Sequence, residues 1–389
     1  MMMVSRRRIL KTGGASLLLL GGGFGAYVGT RSIAQAQEPW RKAAQGFGDP
    51  RIDALAYAIL APNPHNRQPW LVQLQGEDSF QLYCDLDKRL PHTDPPNRQI
   101  TIGFGAFLEL FRQAAAENGY RADINPFPDG EPQPVLDRRP LATVTMIKDP
   151  TIKSDPLFAT ILARRSTKEA FTNDIITAAQ SKALEQSAIS ADLVNNISLA
   201  MTSDSDQVAR LRELNWQAWS VEYATDRTQK ESVDLMRIGA AEVNANPDGI
   251  DLSGPMMEAL RLGGIVSRAQ LADKGSNAYD AGISMYQEIL DNTQSFGWLI
   301  SQENSRAAQL QSGATWVRFN QAATQMGLAM HPVSQILQEF PEMADLYKQF
   351  HSAVNVAEPA RVQGFFRLGY AARPEPSPRW PVESILLNA

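Results

Sequence analysis

Gly105-Ala-Phe-Leu-Glu-Leu-Phe-Arg-Gln-Ala-Ala-Ala-Glu-Asn-Gly119 aligns without a gap with Gly313-Ala-Thr-Trp-Val-Arg-Phe-Asn-Gln-Ala-Ala-Thr-Gln-Met-Gly327. Seven of the fifteen positions are identical, including both terminal glycines, one Phe and one Gln. Each stretch reads as a helix, over about 103–118 and 312–326, and the repetition points to a chain duplicated within itself. Similar elements recur around each copy. Strands are expected over 70–74, 80–84 and 141–147 in the first half, and over 197–202, 298–302 and 362–370 in the second. A helix over 49–61 precedes the first set, with Ile52, Leu55, Ala56, Ile59 and Leu60 on one face until Pro62 stops it. Residues 85–98 and 125–140 read as Pro-rich loops. The expected class is α+β, with halves at 37–150 and 151–389. The surplus of the second half lies at about 205–297, a mostly helical insertion carrying Trp216, Trp219, Tyr223, Met236, Met256 and Met257. The insertion reads either as a pair of extra core helices or, because Met and Trp adapt to flat aromatic faces, as a flexible apolar lid over a planar ligand.

The chain has 389 residues, 43% hydrophobic and 20% charged, which suits a globular protein and excludes a disordered chain or a multispan membrane protein. Its net charge is −5, yet the first 36 residues hold five cations and no acid, so the remainder carries −10. Nothing in that balance favours a phosphate backbone, so no nucleic-acid partner is expected. A single cysteine, Cys84, excludes an intrachain disulfide and any multi-Cys metal site, and no metal is expected.

Ser5-Arg6-Arg7-Arg8-Ile9-Leu10-Lys11 precedes a glycine- and leucine-rich apolar run over 13–29, and Ala34-Gln35-Ala36 supplies small residues at a peptidase site. The run is short for the ~20 apolar residues of a membrane span. Residues 1–36 resemble a twin-arginine export signal. That resemblance implies export of a folded chain to the periplasm by the twin-arginine machinery, membrane contact only during export, and a non-covalent cofactor acquired beforehand.

The sequence holds no P-loop, no H-E-x-x-H, no G-x-S-x-G and no complete G-x-G-x-x-G. Two segments stand out instead. Ala61-Pro-Asn-Pro-His-Asn-Arg-Gln-Pro-Trp70 is a rigid connection rich in amide donors and acceptors, suited either to the edge of a polar heteroaromatic ring or to capping its own backbone. Its His65 reads as a satisfied loop histidine. Ala163-Arg-Arg-Ser-Thr-Lys-Glu-Ala-Phe171 clusters three cations with a hydroxyl, as a phosphate site or a solvated basic turn would.

Together these segments, with Gly369-Tyr370 and Pro376-Ser-Pro-Arg-Trp-Pro381, resemble the flavin-binding nitroreductase family. The order of the motifs resembles its Acg-like branch, in which one chain imitates the family's dimer and a lid can cover the flavin. The resemblance implies a nitroreductase-like fold with one FMN between the halves. Arg164 and Arg379 would then hold the FMN phosphate, with Arg165 beside them. Ser166 would bond the ribityl chain or ring edge, and Lys168 would sit where negative charge accumulates on the reduced ring. Pro62, Asn63, Pro64 and Asn66 would line the ring and ribityl chain. Val333 and Ser334 would offer backbone contacts at flavin N5. Asn63 stands where the family usually has Ser, and Pro332-Val-Ser-Gln335 lacks the acidic residue and Gly common there. The implied activity passes electrons from NAD(P)H or another small-molecule donor to a nitroaromatic, quinone or similar acceptor. The alternative is a flavin-sequestering protein without turnover.

Overall fold

A run of two strands, a long helix and two more strands occurs twice along the chain, and the two copies meet through their helices. The computed structural model describes residues 31–189 and 196–387. The arginine motif at 5–11 and the apolar run at 13–29 lie outside the described residues.

Ahead of the first copy come α1 (Glu38–Lys42) and α2 (Pro50–Ala58). The copy comprises β1 (Trp70–Gln75), β2 (Ser79–Cys84), α3 (Arg98–Glu117), β3 (Tyr120–Pro126) and β4 (Ala142–Lys148). Helix α4 (Ala178–Ala188) leads to β5 (Ile197–Thr202), which opens the second copy. An insertion follows: α5 (Ser205–Ala224), α6 (Asp226–Asp234), β6 (Met236–Ile238), α7 (Ala240–Ala245), β7 (Ile250–Leu252), α8 (Pro255–Leu262), α9 (Arg268–Ala272) and α10 (Asn277–Asp291). The copy resumes with β8 (Ser295–Ser301), α11 (Arg306–Gln325) and β9 (Ala329–Pro332), then α12 (Ala344–Ala353) and β10 (Arg361–Gly369).

One four-stranded sheet has the order β1-β2-β4-β3 and the other β5-β8-β10-β9, with every neighbouring pair antiparallel. Element for element the orders are the same, so the architecture is a duplicated α+β fold. The insertion separates the first and second strands of the second copy and holds its own parallel pair, β6 and β7.

The repeat is visible in sequence because several of its identical residues lie where α3 and α11 pack together. A Cβ on Gly105 would lie 1.9 Å from the Leu310 carbonyl oxygen, and one on Gly313 would lie 1.9 Å from that of Ile102. Only glycine lets the two helices approach so closely. One turn and more further on, the side-chain amides of Gln113 and Gln321 donate to each other at 3.0 and 2.8 Å. Beside them Arg318 donates to Glu109 at 2.8 Å and to Asp155 at 2.5 Å, all three being nearly buried. On the far faces, Phe104, Phe107 and Phe111 of α3 pack with Trp70 and Phe80, while Trp316 and Phe319 of α11 pack with Phe366. Fully burying each such ring stabilises the fold by about 2–3 kcal/mol.

Several boundaries differ from expectation for local reasons. Helix α2 ends at Ala58, and residues 59–61 continue only as tighter turns, with Leu60 N bonded to Tyr57 O and Ala61 N to Ala58 O. Helix α3 begins at Arg98 because the Asp94 carboxylate accepts the N–H groups of Gln99 and Ile100, filling donors that the first turn leaves open. Helix α11 begins at Arg306, where the Glu131 carboxylate accepts the N–H groups of Arg306 and Ala307. Strands β3 and β9 were not expected: β3 alternates apolar and polar residues over Tyr120–Asn125 but is mostly exposed, and β9 has only four residues.

Most of the insertion's aromatic rings pack on one another. Trp219 stacks on Tyr223 at 4.5 Å and on Tyr286 at 4.6 Å, Tyr223 stacks on Tyr279 at 4.4 Å, and Trp216 lies 5.5 Å from Trp219. These rings zip α5 to α10 and spend their faces on each other. Met256 is 73% exposed, and Met257 packs with Ile238 and Val266 in a small core of the insertion.

Candidate functional site

Residues 61–70 join α2 to β1 by a path that L-residues rarely take. His65, Asn66 and Gln68 have φ of 48°, 51° and 50°. Asn tolerates this region, but His and Gln do so at about 1–3 kcal/mol each, a strain that persists only where surroundings impose it. Here the surroundings are explicit. Asn63 Oδ1 accepts the Gln68 N–H at 2.7 Å, tying the loop to itself. Gln68 is buried; its amide donates to the Pro247 carbonyl at 2.7 Å and accepts the Trp380 N–H at 2.9 Å. Gly249 N–H donates to Asn66 O at 3.2 Å, and Arg67 pairs with Asp248 at 3.4 Å. The loop is thus clamped between the insertion's 247–249 turn and the 376–380 tail.

Against this loop lie Arg164 and Arg379, both buried. The Arg379 guanidinium donates to Asn66 Oδ1 at 2.6 Å, Ser377 Oγ at 2.8 Å and the carbonyls of Leu60 and Ala61 at 3.2 Å. Arg164 donates to the same Leu60 carbonyl at 2.8 Å and to Asn320 Oδ1 at 3.3 Å. Asn320 in turn donates to Arg165 O, fixing the 164–168 segment to α11. Among the described residues no carboxylate pairs with Arg164, Arg165 or Arg379, and the Nε atoms of Arg164 and Arg379 are buried without a partner. Burial, then the neighbouring guanidiniums, pulls Arg164 and Arg379 down to about 9; burial and Arg373 pull Arg165 to about 10. Unpaired buried cations are expensive. The indole of Trp40 offsets part of that cost: the guanidinium carbons of Arg164, Arg165 and Arg379 lie 5.8, 4.7 and 5.6 Å from its ring. Three cations converge here with no carboxylate among the described residues in ion-pair contact, only Glu375 acting on Arg165 from further off, a charge pattern that suits an anion.

The N-terminal segment closes one side of the cradle. Ala36 O accepts the Arg379 N–H at 2.8 Å, Ala36 N donates to Asn244 Oδ1 at 3.1 Å, and Trp40 Nε1 donates to Ser377 O at 2.8 Å. A cavity of about 290 Å³ lies beside this segment, lined by Pro39, Phe47, Ile59, Arg379, Trp380 and Val382. It shares Arg379 with the cradle but reaches none of the groups described next.

Past the arginines, Lys168 is surrounded by titratable groups from four segments. Desolvation lowers its ammonium pKa, against the pull of Asp251 and Glu169; part of the side chain meets solvent, so the effect is smaller than full burial would give. His65 is pushed down to about 4 by burial, then by Lys168 and Arg67, so its ring is neutral, and its Nδ1 is buried without a partner. His331 is held well below its ordinary pKa by burial, then by Arg367 and Lys168. Arg367 donates to His331 Nδ1 at 2.9 Å, which leaves the ring proton on Nε2. Arg367 itself lies 4.1 Å over the Phe171 ring and bonds Thr293 Oγ1 at 2.6 Å.

The structure therefore brings the 61–70 loop, the 164–168 segment and Arg379 together. Asn63 and Asn66 are committed to the loop and to Arg379, and Pro64 abuts α3 near Gly103. Pro62 is buried beneath the loop, and Ser166 is half-buried between the arginines and Lys168 in sequence. Val333 spends its side chain in the core with Phe296 and Phe340 and its N–H on Phe365 O; Ser334 opens the turn that follows. Asp251, His331, Arg367, Asn320 and Trp40 carried no signal in the sequence, because each acquires meaning only from partners on distant segments. Among the described residues no group of His, Cys, Asp and Glu could hold a metal ion.

No family model matches the chain. Two Mycobacterium tuberculosis proteins, each named "Putative NAD(P)H nitroreductase", are similar to parts of it. One is 33% identical over 113 residues, 29% of this chain and 31% of the relative. The other, acg, is 37% identical over 76 residues, 20% of this chain and 23% of the relative. The matches thus span less than a third of the length of these curated relatives. Among solved structures, a Bacteroides fragilis nitroreductase with bound FMN is 14% identical, with 57% of this chain and 91% of that chain covered and a TM-score of 0.34. The NADPH:FMN oxidoreductase of Vibrio harveyi complexed with NAD+ is 15% identical, with 60% and 76% covered and a TM-score of 0.35.

Proposed function

We propose that this chain is an FMN-binding oxidoreductase of the nitroreductase type, one chain serving as the family's dimer. The observation that supports it most is the cradle of Arg164, Arg165 and Arg379, two of them buried with unpartnered Nε atoms and none in ion-pair contact with a carboxylate. The FMN phosphate is a dianion that such a cradle fits. The local similarity to proteins named as NAD(P)H nitroreductases agrees with it.

Bound there, FMN supplies the redox chemistry, accepting electrons from NAD(P)H or another small donor and passing them to a nitroaromatic, quinone or similar acceptor. The chain's own residues bind and orient. Arg164 and Arg379, both of the second half, would hold the phosphate end against the first half's 61–70 loop. Lys168 places a positive charge where the reduced ring gathers negative charge. The strained 63–68 loop, clamped from both sides, gives the ring a rigid wall. Export by the twin-arginine route, with folding around FMN beforehand, completes the proposal.

The docking of the insertion's 247–249 turn directly onto the 66–68 loop favours a second reading, a flavin store without turnover. The full chain, purified and titrated with FMN, should quench the cofactor's fluorescence, and the variant R164A/R379A should not. A wild-type chain that fails to quench refutes the reading. Bleaching by NADPH supports turnover, whereas bleaching by dithionite alone supports storage.

A further inference from the structure

The insertion does more than cover the loop: it delivers a carboxylate. Gln68 to Pro247 at 2.7 Å, Arg67 to Asp248 at 3.4 Å and Gly249 to Asn66 at 3.2 Å seat three consecutive insertion contacts on the strained loop. Gly249 has φ of 74°, and a Cβ there would lie 2.2 Å from the Leu235 carbonyl oxygen, so this turn has one tight path. Two residues later, on β7, Asp251 has its Oδ1 buried with no hydrogen-bond partner. Burial raises its pKa, while Ser253 and Lys168 act to keep it ionised. Asp251 is in turn the strongest acidic influence on Lys168. On the facing loop, His65 Nδ1 is a second buried polar atom without a partner.

A buried carboxylate oxygen without a partner, with an ammonium near enough to act on it and open to solvent, describes the complement of a ligand edge that alternates acceptor and donor. An ionised carboxylate only accepts and an ammonium only donates. The pyrimidine edge of an isoalloxazine presents carbonyl, N–H and carbonyl in a row. We propose that Asp251 accepts the hydrogen bond of the ring imide N–H while Lys168 donates to the adjoining carbonyl oxygen, so that the insertion selects a uracil-like edge. This rests on the FMN reading given above. It adds that the second half's insertion reads the ring, and that the cofactor pins the insertion in place.

The test uses the full chain and two ligands, FMN and its N3-methyl analogue, which differ only at the imide nitrogen. A hydrogen bond to a charged group is worth about 1.5–3 kcal/mol, or roughly 10- to 100-fold in affinity. Wild type should therefore bind FMN about 10- to 100-fold more tightly than the methylated ligand in a fluorescence titration. D251A should lose most of that ratio and bind both weakly, and D251N should fall between. Equal affinity of wild type for the two ligands overturns the inference without needing any variant to fold, and leaves the FMN reading intact. A D251A protein that still discriminates also overturns it. No binding of FMN by wild type removes the FMN reading itself, and this inference with it.

Discussion

Glu222 offers a sharp test of how the insertion is anchored. It lies on α5, buried, with Ser232 donating to its Oε1 at 3.3 Å and its Oε2 without any partner. Burial pushes its pKa from 4.5 to about 7; Gln338, Ser232 and Gln335 oppose the rise, and Glu231 adds to it. A carboxyl whose pKa is raised on folding stabilises the fold fully below its unfolded value, and that stability is lost as the pH rises through the folded value. The window is therefore pH 4.5 to about 7. At roughly 1.4 kcal/mol per pH unit, it spans about 3 kcal/mol. Replacing the group by a neutral amide, E222Q, removes the titration and supplies a donor in a place where Gln338 Oε1 is also buried without a partner. Urea unfolding of both proteins between pH 5 and 8 measures the difference. E222Q should match wild type near pH 5 and exceed it by about 2–3 kcal/mol at pH 8. Taking the difference cancels the other titrating groups, including Asp94, raised to about 6 by burial, and His65, lowered to about 4. A pH-independent gap, or an E222Q protein weaker at pH 8, would refute the reasoning.

Two further outcomes test the junction between the halves. G313A should lower the unfolding midpoint by the equivalent of about 1–3 kcal/mol, because its Cβ would meet the Ile102 carbonyl at 1.9 Å; helix propensity alone would raise stability by about 1 kcal/mol, so a stabilised variant contradicts the close approach. R318M should cost about 3–5 kcal/mol in chemical denaturation, since it strands Glu109 and Asp155 in a buried setting; a loss under about 1 kcal/mol, typical of a surface pair, would show that Arg112 suffices for both.

The sequence disclosed what local chemistry imposes. The repeat was legible because Gly105 and Gly313 each let the other helix approach closely, at Leu310 and Ile102, and Gln113 and Gln321 bond each other. The three motif segments were legible as clusters of Pro, Asn, Gln and Arg. The mutual stacking of Trp219, Tyr223, Tyr279 and Tyr286 within the insertion was not legible, because helix spacing alone does not distinguish it from an open aromatic face. Strand β3 carries the alternation of a strand, with Tyr120, Ala122 and Ile124 against the core and Arg121, Asp123 and Asn125 outward, and was passed over in the sequence. Asp251 and His331 were invisible for a different reason: their state depends on Lys168, which reaches them only through tertiary folding.

The cradle also ties together segments far apart in the chain. Gln37 and Pro376 bond each other although 339 positions separate them, and Trp40 meets Ser377 across 337. Once captured, an anion between Arg164 and Arg379 acts as a clasp on a closed loop of the backbone. Such a long closure is slow to find and costly in chain entropy. The clasp holds it shut, so ligand loss should loosen the start and the tail of the described chain together, before the two sheets yield.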